Sequence, residues 1–389
     1  MWKHRYRNQG ATHEGKTILT LICFAHFVND LYMMVLPPLL PVLMVVFGLN
    51  YFISGLLVSL VLLISFIAGL GAGYIADAGN YRKAVLLSGF LLNSLSILLL
   101  YLASDFYHIV LVCIIMGVAQ GTYHPQSISF INFLFKRGKG RATGIHGVGG
   151  NLGHFAAPMV VTFLVTLMGW GQSLILLLVP PILMTIVLWR TLEEPAVPST
   201  KGFIKSITLP LVLLTLISSL RDMVYRGFAS FLPSYFVAEG STLLSAGMLT
   251  ASMIASGVVA QPLGGSLSDK IGRKKIFTIT LLLLTFSLLG FTMSKGMAKL
   301  AFLPLIGFGI FATFPVSLIY ASELGEPGAT GTSVGFLYGT SQVIASASPI
   351  LMGYLIDEWG FTASFFSLTI FAGLAFVASN IIPRRGQEQ

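Results

Sequence analysis

Two groups of charged and polar residues stand inside stretches that are otherwise apolar. The first lies in "CFAHFVNDLYMMVLPPLLP", Cys23 to Pro41, which holds His26, Asn29 and Asp30. The second is Arg221, Asp222 and Arg226, within 208–237. A charge at the centre of a membrane helix costs about 2.5–3.5 kcal/mol on insertion scales, so one that is kept there has a partner and a task. His26 and Asp30 are four residues apart, on one helical face, where the imidazole can donate to the carboxylate. Low dielectric favours the protonated acid and a nearby cation favours the carboxylate. Asp30, aided by His26, is therefore a candidate for taking a proton on one side of a membrane and releasing it on the other. The alternative is a fixed polar contact that locks its helix to the neighbours. Asp222 and Arg226 share the same spacing, so Asp222 is either a second proton-carrying acid or half of a static pair with Arg226. Arg221 and Arg226 are candidates for holding an anion, because a guanidinium forks onto carboxylate or phosphonate oxygens. Otherwise they partner Asp222 or lie near a membrane surface.

Further polar residues recur in apolar surroundings. His124 precedes Pro125, and histidine is the residue type whose unperturbed titration falls near neutrality; His124 either shuttles protons or satisfies a carbonyl that the proline frees. Asn29, Tyr123, Asn151, His154 and Gln342 are candidates for lining a polar cavity with the arginines. His146 and His154 carry weaker signals than His124. Gly149 and Gly153 are four apart and fit a small-residue contact face between helices. The chain has no P-loop lysine, no Gly-x-Ser-x-Gly elbow and no cysteine cluster, so no catalytic residue, metal or cofactor is expected and the chain does not read as an enzyme. Work must then be drawn from an ion gradient or from a solute's own gradient. Cys23 and Cys113 read as small buried hydrophobes.

The elements that position these residues follow from composition. Of 389 residues, 55% are hydrophobic and 10% charged, where a soluble chain carries about 25% charged. Mean hydropathy is +0.86. Such a chain cannot cover a water-facing surface, and it reads as an all-α integral membrane protein. The net charge of +9 is spread in short clusters between apolar spans, which excludes a nucleic-acid-binding face. Continuous apolar runs of roughly 20 residues are membrane helices, whereas barrel strands would alternate. Twelve are expected: 17–46, 52–76, 84–103, 109–135, 142–168, 173–191, 208–237, 243–267, 275–294, 299–322, 331–356 and 362–383. The loops that share a side with both termini hold 19 of the 23 Lys and Arg. The positive-inside rule then puts both ends in the cytoplasm of a multi-pass plasma-membrane protein. A polar stretch from Glu193 to Ser206 divides the chain into an N-terminal six-helix bundle (1–191), a cytoplasmic linker (192–207) and a C-terminal six-helix bundle (208–389).

The halves repeat. "GYIADAGNYRK" at Gly73 returns as "GSLSDKIGRKK" at Gly265, so that Asp77 and Asp269 are 192 positions apart. The same offset carries Asp30 to Asp222, Pro41 to Pro233 and Gly117 to Gly309. Two parallel six-helix copies related by an axis along the membrane normal are the architecture expected of a major facilitator fold, and would place Asp30 and Asp222 at comparable depth beside a central cavity. The loop between spans two and three, with its copy, resembles the Gly-Asp-Gly-Arg-Lys motif of the major facilitator superfamily. Gly265, Asp269, Gly272, Arg273 and Lys274 match it. The first copy keeps Asp77, Arg82 and Lys83 but has Asn80 for Gly and Tyr81 for Arg. An Asp ending one helix can bind the start of another, so these residues, with Glu323, form a candidate cytoplasmic gate; the alternative is a tight turn with cytoplasmic charge.

Three more stretches narrow the resemblance: "AHFVND" in the first span, "GTYHPQS" (Gly121 to Ser127) in the fourth and "GIHGVGGNLGHFAAP" (Gly144 to Pro158) in the fifth. With "YASELGEPGATG" ending the tenth span, they are similar to the fosmidomycin-resistance family of drug exporters. Glu326-Pro327-Gly328 is not followed by the usual Arg, and the Arg221/Arg226 pair is not a family feature; both bear on the substrate more than on the fold. The resemblance implies proton-coupled export of a small, drug-like or anionic solute, and the chain is expected to be a monomer. An importer or uniporter of an organic anion is the alternative within the class. A membrane receptor or intramembrane enzyme is the alternative outside it, and the loops are too short for the soluble module that a receptor would need.

Overall fold

The computed structural model describes residues 13–135, 139–194, 207–325 and 330–382. Fifteen helices follow in chain order: α1 (His13–Met33), α2 (Leu36–Phe47), α3 (Tyr51–Gly79), α4 (Arg82–Tyr101), α5 (Phe106–Leu134), α6 (Lys139–Met168), α7 (Trp170–Leu177), α8 (Val179–Thr191), α9 (Leu209–Ala238), α10 (Leu243–Ala255), α11 (Gly257–Ile271), α12 (Arg273–Met293), α13 (Phe302–Leu324), α14 (Thr330–Ala345) and α15 (Ser348–Ser379). No strand occurs among the described residues.

Among the described residues, ten stretches are long and apolar enough to cross a bilayer. One of them, Thr332–Ser379, is two arms: Gly360 inside α15 has φ +76°, which ends one arm and begins the next. The helix α9 adds a thirty-residue span that carries three charges, Arg221, Asp222 and Arg226. Together these are the twelve expected spans. Prolines explain several breaks. The turn at Met34–Val35 separates α1 from α2 just before Pro37 and Pro38, and Leu178 separates α7 from α8 just before Pro180 and Pro181. A proline cannot donate to the preceding turn and its ring crowds it. Pro125, Pro158 and Pro233 sit inside α5, α6 and α9 without ending them. Side-chain caps open the helices that begin outside the apolar spans: Asp105 accepts the His108 amide (3.0 Å) and Thr208 the Leu211 amide (3.3 Å). Each satisfies one of the orphan amides of a helix start.

The described residues cluster into two compact units, 13–39 with 60–194 and 40–59 with 207–382. The segment 40–59 thus groups with the second unit, unlike the division at 192–207 read from the sequence. The reason is local. The Asp357 carboxylate accepts the amides of Tyr51 (3.1 Å) and Phe52 (2.8 Å) at the start of α3. Close by, Gly55 and Gly353 let backbone meet backbone: a Cβ on Gly353 would lie 2.1 Å from the Tyr51 carbonyl oxygen.

Within each unit the helices are brought together by small residues and ring packing, since lipid gives apolar side chains no reason to leave it. In the first unit a Cβ on Gly149 would lie 2.1 Å from the Cys23 carbonyl oxygen, and one on Gly153 would lie 2.3 Å from that of Phe27. The glycines therefore let α6 rest on the backbone of α1. In the second unit, Phe228, Tyr235, Phe291 and Phe365 pack with centroids 5.1–5.7 Å apart, mostly edge to face, the geometry that ring quadrupoles prefer. Leu70, Phe163, Phe286 and Ile370 are among many large apolar side chains left on the outside, as a bilayer-facing surface requires.

Candidate functional site

The polar residues of the first unit converge on one carboxylate. Asp30 is buried in α1. Asn29 Nδ2 donates to its Oδ1 at 2.9 Å. His26 Nε2, one turn earlier, lies 3.2 Å from Oδ2. From α5, His124 Nε2 approaches Oδ1 at 3.7 Å, and from α6, His154 Nε2 approaches Oδ2 at 3.6 Å. Three imidazoles from three helices thus face one acid. His26 and Asp30 meet as their spacing required. His124 and His154 reach them only because α5 and α6 lie against α1.

A second layer orients the first. His26 Nδ1 lies 2.8 Å from the His146 carbonyl oxygen. A carbonyl can only accept, so Nδ1 carries the proton and Nε2 is turned to Asp30. The His26 ring also stacks on the His146 ring, with centroids 4.0 Å apart, and on Tyr123 at 5.3 Å. Tyr123 itself is fully buried: its hydroxyl donates to the Ile22 carbonyl (2.7 Å) and lies 3.2 Å from His146 Nε2. His124 turns toward α1, where its Nε2 also meets Met33 Sδ at 3.5 Å. Asn151 is half-buried on α6, one turn before His154. His146 carries little signal in its sequence context, yet it holds the ring that faces the acid. Gly150 was missed altogether: a Cβ there would lie 2.5 Å from His26 Cε1 and 2.6 Å from Asp30 Oδ2. The glycine-rich run "GVGGNLG" was the available signal.

The second unit buries a different balance of charge. On α9, Arg221 Nη1 pairs with Asp222 Oδ1 at 2.8 Å, and both side chains are almost fully shielded. Arg226 Nη2 donates to Gln342 Oε1 on α14 at 3.1 Å. The expected four-residue pair of Asp222 with Arg226 is thus replaced: Arg221 holds the acid and Gln342 takes the second guanidinium. Arg221 also lies over the Phe314 ring at 5.6 Å, and Arg226 over Tyr225 at 5.4 Å. The Nε atoms of both arginines are buried without a hydrogen-bond partner among the described residues. Two cations against one acid leave an excess positive charge inside the unit.

The repeated loop is built differently in its two copies. In the second, Gly272 (φ +100°) turns the chain between α11 and α12, a conformation that only glycine adopts without strain. Arg273 then pairs with Asp269, bonds Ser268 Oγ at 2.8 Å and meets Glu323 on α13 at 3.3 Å. Lys274 Nζ donates to the Asn380 and Ile382 carbonyls at 2.7 and 2.6 Å. These residues line a cavity of about 810 Å³, and Gly265 lies two turns before Gly272 on α11. In the first copy Asn80 takes the left-handed turn (φ +56°), which asparagine tolerates better than most residues. Arg82 is buried, its Nη1 donating to Asn80 Oδ1 at 2.8 Å, and Lys83 Nζ donates to the Trp189 carbonyl at 2.7 Å. Glu194 accepts the Arg82 and Lys83 amides at 2.6 and 2.9 Å and so caps α4. The Asp77 side chain, like residues 326–329, lies outside the described part.

Apolar spans enclosing a few convergent polar groups are, among the described residues, the build of a polytopic membrane protein. The model of the Major Facilitator Superfamily matches residues 22–247 and 214–388. The chain belongs to that superfamily, and it is a transporter and not an enzyme. It is 24% identical over 378 residues to an uncharacterized MFS-type transporter, YfnC, of Bacillus subtilis, covering 93% of this chain and 91% of that protein. It is 22% identical over 339 residues to a putative glycerol-3-phosphate transporter of Arabidopsis thaliana, covering 72% and 64%. A bacterial homologue of the lysosomal transporter Spinster, in an inward-facing and unoccupied conformation, has the same fold with a TM-score of 0.80 at 17% identity, covering 96% of this chain and 98% of that one.

Proposed function

We propose that the protein is a secondary active transporter that exports a small anionic or drug-like solute in exchange for protons, by alternating access. The observation that carries this reading is the Asp30 carboxylate facing the Nε2 atoms of His26, His124 and His154. A buried acid among imidazoles is a place where a proton can be held, and an intramembrane ionisable group is a functional site by default. Asp222 is the weaker proton candidate, because Arg221 already neutralises it. The excess charge of Arg221 and Arg226 supports an anionic solute, as does the printed name of the glycerol-3-phosphate relative. The resemblance to fosmidomycin-resistance exporters supports the outward direction and a phosphonate-like ligand. The protein works as a monomer in the plasma membrane with both ends in the cytoplasm, and the Asp269, Arg273 and Glu323 network latches that face.

The test begins with a thermal-shift screen of the purified protein against anionic metabolites and phosphonates at two pH values, which supplies the substrate. In proteoliposomes, an imposed pH gradient should then drive its accumulation. Asp30→Asn should keep the fold and lose that driven flux; pH dependence like that of the parent chain in this variant rules out the role. Arg226→Ala should weaken anions more than neutral ligands, and equal losses rule out the anion site. Flux that persists to equilibrium after the gradient is collapsed would instead show an organic-anion uniporter.

A further inference from the structure

The His26–Asp30 contact needs a cation between its two atoms. His26 Nδ1 donates to the His146 carbonyl, so a neutral imidazole presents the lone pair of Nε2 to Asp30 Oδ2 at 3.2 Å. Two lone pairs facing one another repel, and Nε2 is buried with no hydrogen-bond donor of its own to answer it. A proton resolves this, and so does a metal ion. A ligating histidine characteristically gives its other ring N–H to a carbonyl or carboxylate, which is the arrangement that His146 supplies. The stack on the His146 ring keeps the plane fixed.

We propose that the cluster of His26, Asp30 and His124, with His154 as a fourth donor, binds a divalent first-row transition-metal ion such as Zn²⁺ or Co²⁺. The donor atoms of His26, Asp30 and His124 all lie within 4.8 Å of one another. The three nitrogen–oxygen separations about Asp30 are 3.2, 3.6 and 3.7 Å. Bonds of about 2.0–2.1 Å give a zinc tetrahedron an edge of roughly 3.3 Å, so His26 and His154 meet Oδ2 with shifts of a few tenths of an ångström, while His124, which faces Oδ1, must move by up to about 1.5 Å to join them. The wider span to His26 is taken up by His124, whose side chain is the least buried of the four, at 33% exposure. Imidazole nitrogens with a single carboxylate suit Zn²⁺, Co²⁺ or Ni²⁺, whereas Mg²⁺ and Ca²⁺ seek oxygen. The ion takes the position between His26 and Asp30 that the coupling proton would take. That consequence rests on the transport reading above, while the binding itself does not.

The experiment uses the full chain in detergent with its affinity tag removed. Co²⁺ is added and the visible ligand-field bands of tetrahedral Co²⁺ are followed, then displaced with Zn²⁺. One saturating equivalent per chain is expected, lost in Asp30→Asn and reduced at least about tenfold in affinity in His124→Gln, which sits at the exposed edge and tests the site should Asp30→Asn fail to fold. His108→Gln, which alters the surface His108–Asp105 pair, should change nothing. Absence of the bands overturns the proposal, and so do bands that survive in both cluster variants. Zn²⁺ should also abolish pH-driven flux. If Co²⁺ binds at the cluster while flux ignores Zn²⁺, the metal site stands and proton coupling at Asp30 falls.

Discussion

Gly150→Ala adds one methyl group to α6 where it faces the acid. Its Cβ would lie 2.5 Å from His26 Cε1 and 2.6 Å from both His26 Nε2 and Asp30 Oδ2, and ordinary contact begins at 3.4 Å. The pair must therefore retreat by about 0.8 Å, the difference between those figures. Overpacking of this kind costs about 1–3 kcal/mol, and the helix regains up to about 1 kcal/mol because alanine favours it over glycine. The net loss, about 0–3 kcal/mol, leaves the chain folded, because the obstructing atoms are side-chain ends. Function is more sensitive. A group displaced by about 1 Å from its working position loses on the order of 100-fold, so pH-driven flux in proteoliposomes should fall by about 10- to 100-fold with only a small fall in the unfolding temperature. Gly149→Ala is the contrast: its Cβ meets the Cys23 carbonyl oxygen at 2.1 Å, which is backbone, so α6 must leave α1 and thermal stability should collapse. Gly147→Ala has nothing within 4 Å and should be silent. Undiminished flux in Gly150→Ala, or loss of the fold as in Gly149→Ala, would refute the placement of α6 over His26 and Asp30.

Two further outcomes follow from helix starts outside the apolar spans. Glu194→Ala removes the carboxylate that receives the first two amides of α4 and should destabilise the chain by about 1 kcal/mol, with faster hydrogen exchange at Arg82 and Lys83; unchanged exchange there counts against the cap. At α5, the hydrogen bond from the His108 amide, reinforced by the nearby His108 ring, holds the Asp105 carboxyl below the usual carboxylate range. A lowered acid stabilises the fold above its unfolded value and loses that contribution as pH falls through the folded one. Exchange of the His108 amide should therefore stay slow through the ordinary carboxylate range and quicken below it, and Asp105→Asn should abolish that pH dependence.

The neighbours of each buried charge were only partly legible in the sequence. His26 and Asp30 meet because one helical turn fixes that distance whatever surrounds it. The same rule suggested Asp222 with Arg226, and there it failed, since Gln342 on α14 offers the second guanidinium an acceptor and leaves the acid to Arg221. Residues that act together from different helices carry no mark of it in their spacing. His146 reaches His26 from 120 positions away, and only the missing side chains of Gly149, Gly150 and Gly153 let α6 come close enough. Likewise, the pairing of 40–59 with the second unit depends on Asp357, some three hundred positions further on.

What the amino-acid sequence determined alone is the medium, the class of element and the repeat. Too few charges and runs of about twenty apolar residues permit only membrane helices, because backbone polar groups in lipid must be satisfied within each segment. An offset of 192 residues between matching loops shows the two halves. Tertiary structure alone decided that His124 and His154 would join His26 at one carboxylate and that Gln342 would take the second guanidinium. The reason is that contacts across helices are set by which backbones approach, and that depends on small residues, proline breaks and caps acting together.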